Sequence, residues 1–115
     1  MGFFGMCQVP TISTSATVTV GSLTTTAGYV VTSQGGSAMT KMGLIWGTSP
    51  TLTYSPIMSE VNTRTPAVTT VTNEWMSPLL PQTTYYYRAF AINASGIAYG
   101  NVLSFTTTSR TPKIS

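Results

Sequence analysis

The rhythm of this chain constrains its fold more than any other feature. Short runs rich in Thr, Val, Ile and Tyr are cut at close intervals by Gly, Pro, Asn and Ser. β-branched and aromatic residues at a period of two fit pleated strands, and turn residues at this spacing fit a sandwich of short strands. No segment carries apolar residues at the 3.6-residue helical period with caps at its ends. Residues 11–20 place Ala16, Val18 and Val20 on one parity. Residues 25–32 place Ala27, Tyr29 and Val31 on one face and Val30 on the other. Residues 33–37 read as a loop, because Gly35 and Gly36 reach positive φ at little steric cost. Residues 40–46 put Met42, Leu44 and Trp46 on one parity and Ile45 on the other. Residues 54–61 read as a short edge strand, since Pro56 cannot donate inside a ladder. Residues 67–76 switch parity between Val68 and the set Val71, Asn73 and Trp75, which predicts a bulge or a change of face. Residues 85–93 form the strongest strand, Asn93-Ala94-Ser95-Gly96 a tight turn, and residues 98–107 the closing strand.

Composition excludes several alternatives. Charged residues make up 6% of the 115 residues, apolar residues 42% and aromatic residues 10%. A disordered chain needs low hydrophobicity and high net charge, and a membrane-spanning helix needs ~20 consecutive apolar residues, so neither is expected. About one residue in five is Thr, which predicts an all-β chain with a neutral, hydroxyl-rich surface. The net charge of +3 rests on five cations, Lys41, Arg64, Arg88, Arg110 and Lys113, which never run together. A nucleic-acid partner would need clustered cations, so none is expected.

Chemistry is equally restricted. The chain has no His and no Asp, and its one Cys is Cys7. No internal disulfide, zinc site, other metal site or cofactor is expected, and most general acid–base machinery is missing. Glu60 and Glu74 are the only side-chain carboxylates. A carboxylate pair would have to lie within about 10 Å across a cleft that a sandwich rarely offers. They read instead as solvated strand residues or as partners for Arg64 or Arg88. Asn93-Ala94-Ser95 matches a glycosylation sequon but sits on a predicted turn, which it is expected to serve. Residues 1–7 are apolar but lack the basic start and long apolar stretch of a signal peptide. Phe3, Phe4 and Met6 are the candidate docking residues of an N-terminal arm that packs on its own domain or on a neighbour.

The stretch Leu79-Leu80-Pro81-Gln82-Thr83-Thr84-Tyr85 resembles the Leu-x-Pro-x-Thr-x-Tyr signature of fibronectin type III domains. Leu79, Pro81, Thr83 and Tyr85 carry the match. Ala89 to Gly96 resembles the F–G hairpin of that family, and Ala98-Tyr99-Gly100-Asn101 with Ser104-Phe105-Thr106-Thr107 resembles strand G. Gly43-Leu44-Ile45-Trp46-Gly47-Thr48-Ser49-Pro50 is similar to a bacterial and phage variety of the module. The resemblance implies a seven-stranded antiparallel two-sheet sandwich over residues 9–108, between an apolar arm (1–8) and a polar tail (109–115). It implies that Tyr85 is a tyrosine corner, and that Tyr87, Ala89 and Ala91 face inward with it. Tyr29 stands where the variety usually has a small residue, so packing there should differ.

On the other parity, Tyr86, Arg88, Phe90 and Ile92, together with Ile45, form the candidate interaction surface, an exposed apolar-aromatic stripe. The competing reading has Arg88 stacked over Tyr86 and Phe90, merely dressing the sheet. The resemblance implies a non-enzymatic structural or adhesive protein. Two settings are expected. One is a phage virion surface, where the chain is a decoration or tail accessory protein packing on identical copies or on a capsid or tail protein. The other is an extracellular adhesion or spacer module of a secreted or cell-surface bacterial protein, with possible carbohydrate contact.

Overall fold

The computed structural model describes residues 8–55, 58 and 60–109. Eight strands follow in chain order: β1 (Thr11–Val20), β2 (Thr25–Ser33), β3 (Met39–Gly47), β4 (Val61–Arg64), β5 (Thr70–Met76), β6 (Thr84–Asn93), β7 (Gly96–Tyr99) and β8 (Leu103–Thr106). They build two antiparallel sheets. One has the order β1-β2-β5; the other has the order β4-β3-β6-β7, with β8 also paired to β6. The chain is an all-β sandwich, as its period-two pattern predicts. The eighth strand arises because the expected closing strand is split in two.

The core lies between the sheets. Tyr29 and Val31 from β2 and Val71 and Met76 from β5 meet Leu44 and Trp46 from β3 and Tyr85, Tyr87, Ala89 and Ala91 from β6. Phe105 packs its ring against Tyr85 and Tyr87, with centroids 5.8 and 5.7 Å away. Residues Met42 to Trp46 are buried without interruption, unlike an ordinary half-exposed strand. A strand reads this way when both its faces are covered. The inner face meets the core, and the outer face lies under residues that follow β3.

Those residues correct one expectation. The edge strand expected over residues 54–61 begins only at Val61, and Pro56 lies outside the described residues. Upstream of β4, Leu52, Tyr54 and Met58 pack on Ile45 and Phe90 instead of pairing as a strand.

The split of the closing strand has a local cause. Thr14 of β1 brings its hydroxyl to β6, where Oγ1 accepts from Ala89 N at 3.0 Å. Gly100 N donates to Ala89 O at 2.8 Å, and a Cβ on Gly100 would lie 2.4 Å from Thr14 Oγ1. Only glycine lets the backbone pass so close. Asn101 Oδ1 then accepts from Thr14 N at 3.1 Å.

β5 carries a bulge, but at Thr72 and Asn73 and not between Val68 and Val71, where the sequence pattern switches parity. Ala27 pairs with Glu74 and Tyr29 with Val71, so two residues of β5 stand opposite the single Gly28. A Cβ on Gly28 would lie 2.1 Å from Val71 O, so the close approach there requires glycine. The extra residue resets the alternation. Val71, Glu74 and Met76 turn inward, while Asn73 and Trp75 are exposed. Val71 therefore does not share a face with Asn73 and Trp75.

Candidate interaction surfaces

The motif of Leu79, Pro81, Thr83 and Tyr85 is drawn together at the turn before β6. Leu79 is buried, and Leu80 N donates to Tyr85 Oη at 2.9 Å. Thr83 Oγ1 donates to Pro81 O at 2.9 Å. Gln82 adopts a left-handed φ of 49°, unusual for a side-chain-bearing residue, and is held by its N–H bond to Thr108 O at 3.1 Å. Thr107, buried just past β8, fastens the turn. Its Oγ1 accepts from Thr83 N at 2.9 Å and donates to Leu80 O at 2.6 Å. Sequence reasoning missed Thr107 because a threonine among so many carries no distinguishing signal. Its distance from Tyr85 along the closing hairpin was the only clue.

The stripe expected to stand open is covered. Phe90 and Ile45 are both fully buried, and Tyr86, Arg88 and Ile92 are half-buried. Tyr54 stacks on Phe90 with ring centroids 4.5 Å apart, and Tyr54 N donates to Tyr99 Oη at 2.9 Å. Arg88 stacks over Tyr99, 4.5 Å from its centroid, rather than over Tyr86 and Phe90. Its Nε and Nη2 donate to Gly100 O at 3.0 and 2.9 Å, and Nη1 donates to Leu52 O at 3.4 Å. Arg88 thus ties the covering segment to the break between β7 and β8. These outward residues form a second small core. Phe3, Phe4 and Met6 lie outside the described residues.

Glu74 is buried, and Arg64 Nε lies 3.4 Å from its Oε1. Burial raises the Glu74 carboxyl above its ordinary value, against the pull of the Arg64 guanidinium. Asn62 Nδ2 also donates to Trp75 O at 2.6 Å. These two contacts join β4 to β5 along one open side of the sandwich. Tyr87 Oη, donating to Ser15 O at 2.7 Å, joins the sheets with Thr14 and Asn101 along the other. Among the described residues, no three His, Cys, Asp or Glu side chains come together to hold a metal. Asn93 is buried. Its Nδ2 donates to Gln8 O and Gln34 O at 2.8 and 2.9 Å, and its Oδ1 accepts from Ser95 N at 2.8 Å. This amide is committed to the turn.

Two open features remain. The first is a groove of about 410 Å³ between β1 and β8, walled by Ala16, Thr17, Pro50, Tyr86, Leu103 and Ser104, with no charged residue in its lining. The second is the outer face of the three-stranded sheet. Its strands carry one charged residue, Glu74, and that one turns inward. Trp75 stands on this face beside Thr26, which is itself opposite Thr19.

Sheet order, register and the corner at Tyr85 together define a fibronectin type III-like fold. No protein-family model and no curated protein matches the chain. Solved structures do. The sensor domain of the anti-sigma factor RsgI4 of Pseudobacteroides cellulosolvens is similar, with a TM-score of 0.59 at 14% identity, over 87% of this chain and 95% of that one. The fibronectin type III domain of human fibronectin type III domain containing protein 3 is similar with a TM-score of 0.54 at 17% identity, over 95% of this chain and 92% of that one.

Proposed function

We propose that this chain is a non-enzymatic packing module, working as a capsid decoration or tail accessory protein on a phage virion. The observation that supports this most is the uncharged outer face of the three-stranded sheet. Charged residues on edges and faces keep sheet proteins apart, and this face lacks them. The test is location. An antibody against the purified protein is used to probe fractions of the source culture. Recovery with particles banding as virions supports the reading; recovery in the cell envelope or culture fluid, with none on particles, overturns it.

A second reading draws on the likeness to a bacterial sensor domain. Here the chain is an adhesion or spacer module of a secreted or cell-surface protein. The uncharged groove beside Tyr86, with the hydroxyls of Thr17 and Ser104, then suits a neutral, hydroxyl-rich ligand such as a carbohydrate. Envelope recovery in the same experiment favours this reading.

A further inference from the structure

Four large apolar side chains stand exposed at one corner of the sandwich. Val18 is 60% exposed, Leu23 40%, Trp75 56% and Leu80 64%. Register brings them together. Thr19, next to Val18, pairs with Thr26, and Thr26 pairs with Trp75. Leu79 N, next to Leu80, donates to Leu23 O at 2.8 Å. The first 40 residues contain no charged side chain, and none occurs between Glu74 and Arg88. Clustered apolar exposure without charge marks a surface that is covered in use.

The chain contains a segment of matching chemistry. Residues 1–7 read Met-Gly-Phe-Phe-Gly-Met-Cys, apolar and without a charged side chain. They are tethered at the opposite end of the molecule. Gln8 O accepts from Gly36 N at 3.0 Å and from Asn93 Nδ2 at 2.8 Å, at the turns that precede β3 and β7. Phe3 is five residues from Gln8, a reach of at most ~18 Å in extended chain. From Thr11 to Val18 alone, β1 covers ~23 Å at the usual strand rise, and Gln8 lies beyond Thr11. The arm therefore falls short of the corner on its own domain, while a second copy stacked end to end brings the two together.

We propose that the Val18, Leu23, Trp75 and Leu80 corner receives the Phe3-Phe4-Gly5-Met6 arm of a neighbouring copy. The contact is head-to-tail, because the donor and acceptor surfaces differ, and it propagates into a ring or a filament. This rests on the reading that the chain packs on copies of itself, and it names the surfaces used.

Three proteins test it by sedimentation over a range of concentrations: the full chain, the chain lacking residues 1–7, and the W75S/L80S double variant. Both altered residues are exposed, and a circular dichroism melt confirms that the variant still folds. The full chain should assemble, and each variant alone should associate about tenfold more weakly or worse. An equimolar mixture of the two variants should form a dimer and stop there, since one supplies only an arm and the other only a corner. The exposed Trp75 of the arm-deleted partner should shift its emission to the blue on mixing.

Self-association of the arm-deleted chain at full strength would mean that corner meets corner, and would overturn the proposal. A full chain that stays monomeric, as when residues 110–115 of the same chain cover the corner, would also overturn it. So would a mixture that fails to associate. A monomeric chain still found on virions defeats this inference and leaves the proposed function standing. An assembling chain absent from virions does the reverse.

Discussion

Three tyrosines offer a test of which polar contacts hold the sandwich, because each can be changed to phenylalanine with almost no change in volume. Tyr87 is 1% exposed and donates to Ser15 O at 2.7 Å, linking β6 to β1 across the sandwich. Burial pushes its hydroxyl pKa up to about 12, so it is a neutral donor at any ordinary pH. Tyr29 is completely buried, and its hydroxyl has no hydrogen-bond partner among the described residues. Burial, then the nearby Glu74 carboxyl, raises its pKa as well, with Arg64 opposing. The two substitutions should therefore differ in sign. Tyr87→Phe loses a net bond of about 1 kcal/mol. Tyr29→Phe removes a hydroxyl whose unpaired burial costs about 1–3 kcal/mol, so it should be neutral or stabilising by about 1 kcal/mol. A separation of about 2 kcal/mol corresponds to roughly 8 °C in Tm for a domain near this size. Urea unfolding of the two variants beside the parent measures it, with the slope m held constant as evidence that only stability has changed. Equal destabilisation by the two substitutions would refute the reasoning, because it would mean that Tyr29 Oη is as well paired as Tyr87 Oη.

Other contacts yield further expectations. Tyr85→Phe should cost about 1 kcal/mol in the same urea assay by removing the acceptor for Leu80 N; a neutral result would remove Tyr85 from its corner role. Glu74 has a folded-state pKa above its ordinary value, so the folded chain holds that proton longer than the unfolded one. Its contribution is full below the ordinary value and is lost as pH rises through the folded value. The parent should therefore lose stability relative to Glu74→Gln as pH rises above the ordinary carboxylate range, and parallel profiles would count against a strained carboxylate. Phe90→Ala should cost about 3–5 kcal/mol in thermal or urea unfolding, as for a fully buried ring; a loss below about 1 kcal/mol would mean that the second core is not packed. Thr14→Val should cost about 1–3 kcal/mol by leaving Ala89 N without its acceptor, and Thr14→Ser should restore most of it.

The legible parts of this fold were those written in neighbouring residues. Alternation in residues 85–93 and the Leu79 to Tyr85 motif placed the strongest strand and its inward face, because both signals are local. The outward parity misled for the opposite reason. Phe90 and Ile45 do point away from the main core, but Leu52 and Tyr54 return over them through a turn that no periodicity announces. The parity switch after Val68 misplaced the bulge, because Val68 lies before β5 and the irregularity falls at Thr72 and Asn73. The bulge's consequence, Glu74 inside and Trp75 outside, depends on which strand supplies the extra residue, and that is a property of the pair β2 and β5. The break at Gly100 was hidden because its cause, Thr14, lies far away in the chain.

The stitches between β1 and β6 also decide how the molecule bears a load. β1 runs opposite to β6, with Thr14 beside Ala89 and Ser15 beside Tyr87, and β8 pairs antiparallel to β6, so β1 and β8 run toward the same end. Gln8 is anchored beside Gly36 and Asn93, and Thr108 beside Gly21, at opposite ends. Tension applied through residues 8 and 108 therefore drags β1 and β8 lengthwise past each other. Thr14 with Ala89, Asn101 with Thr14 and Tyr87 with Ser15 all resist that slide together, so the sandwich must shear several bonds at once instead of unzipping one at a time.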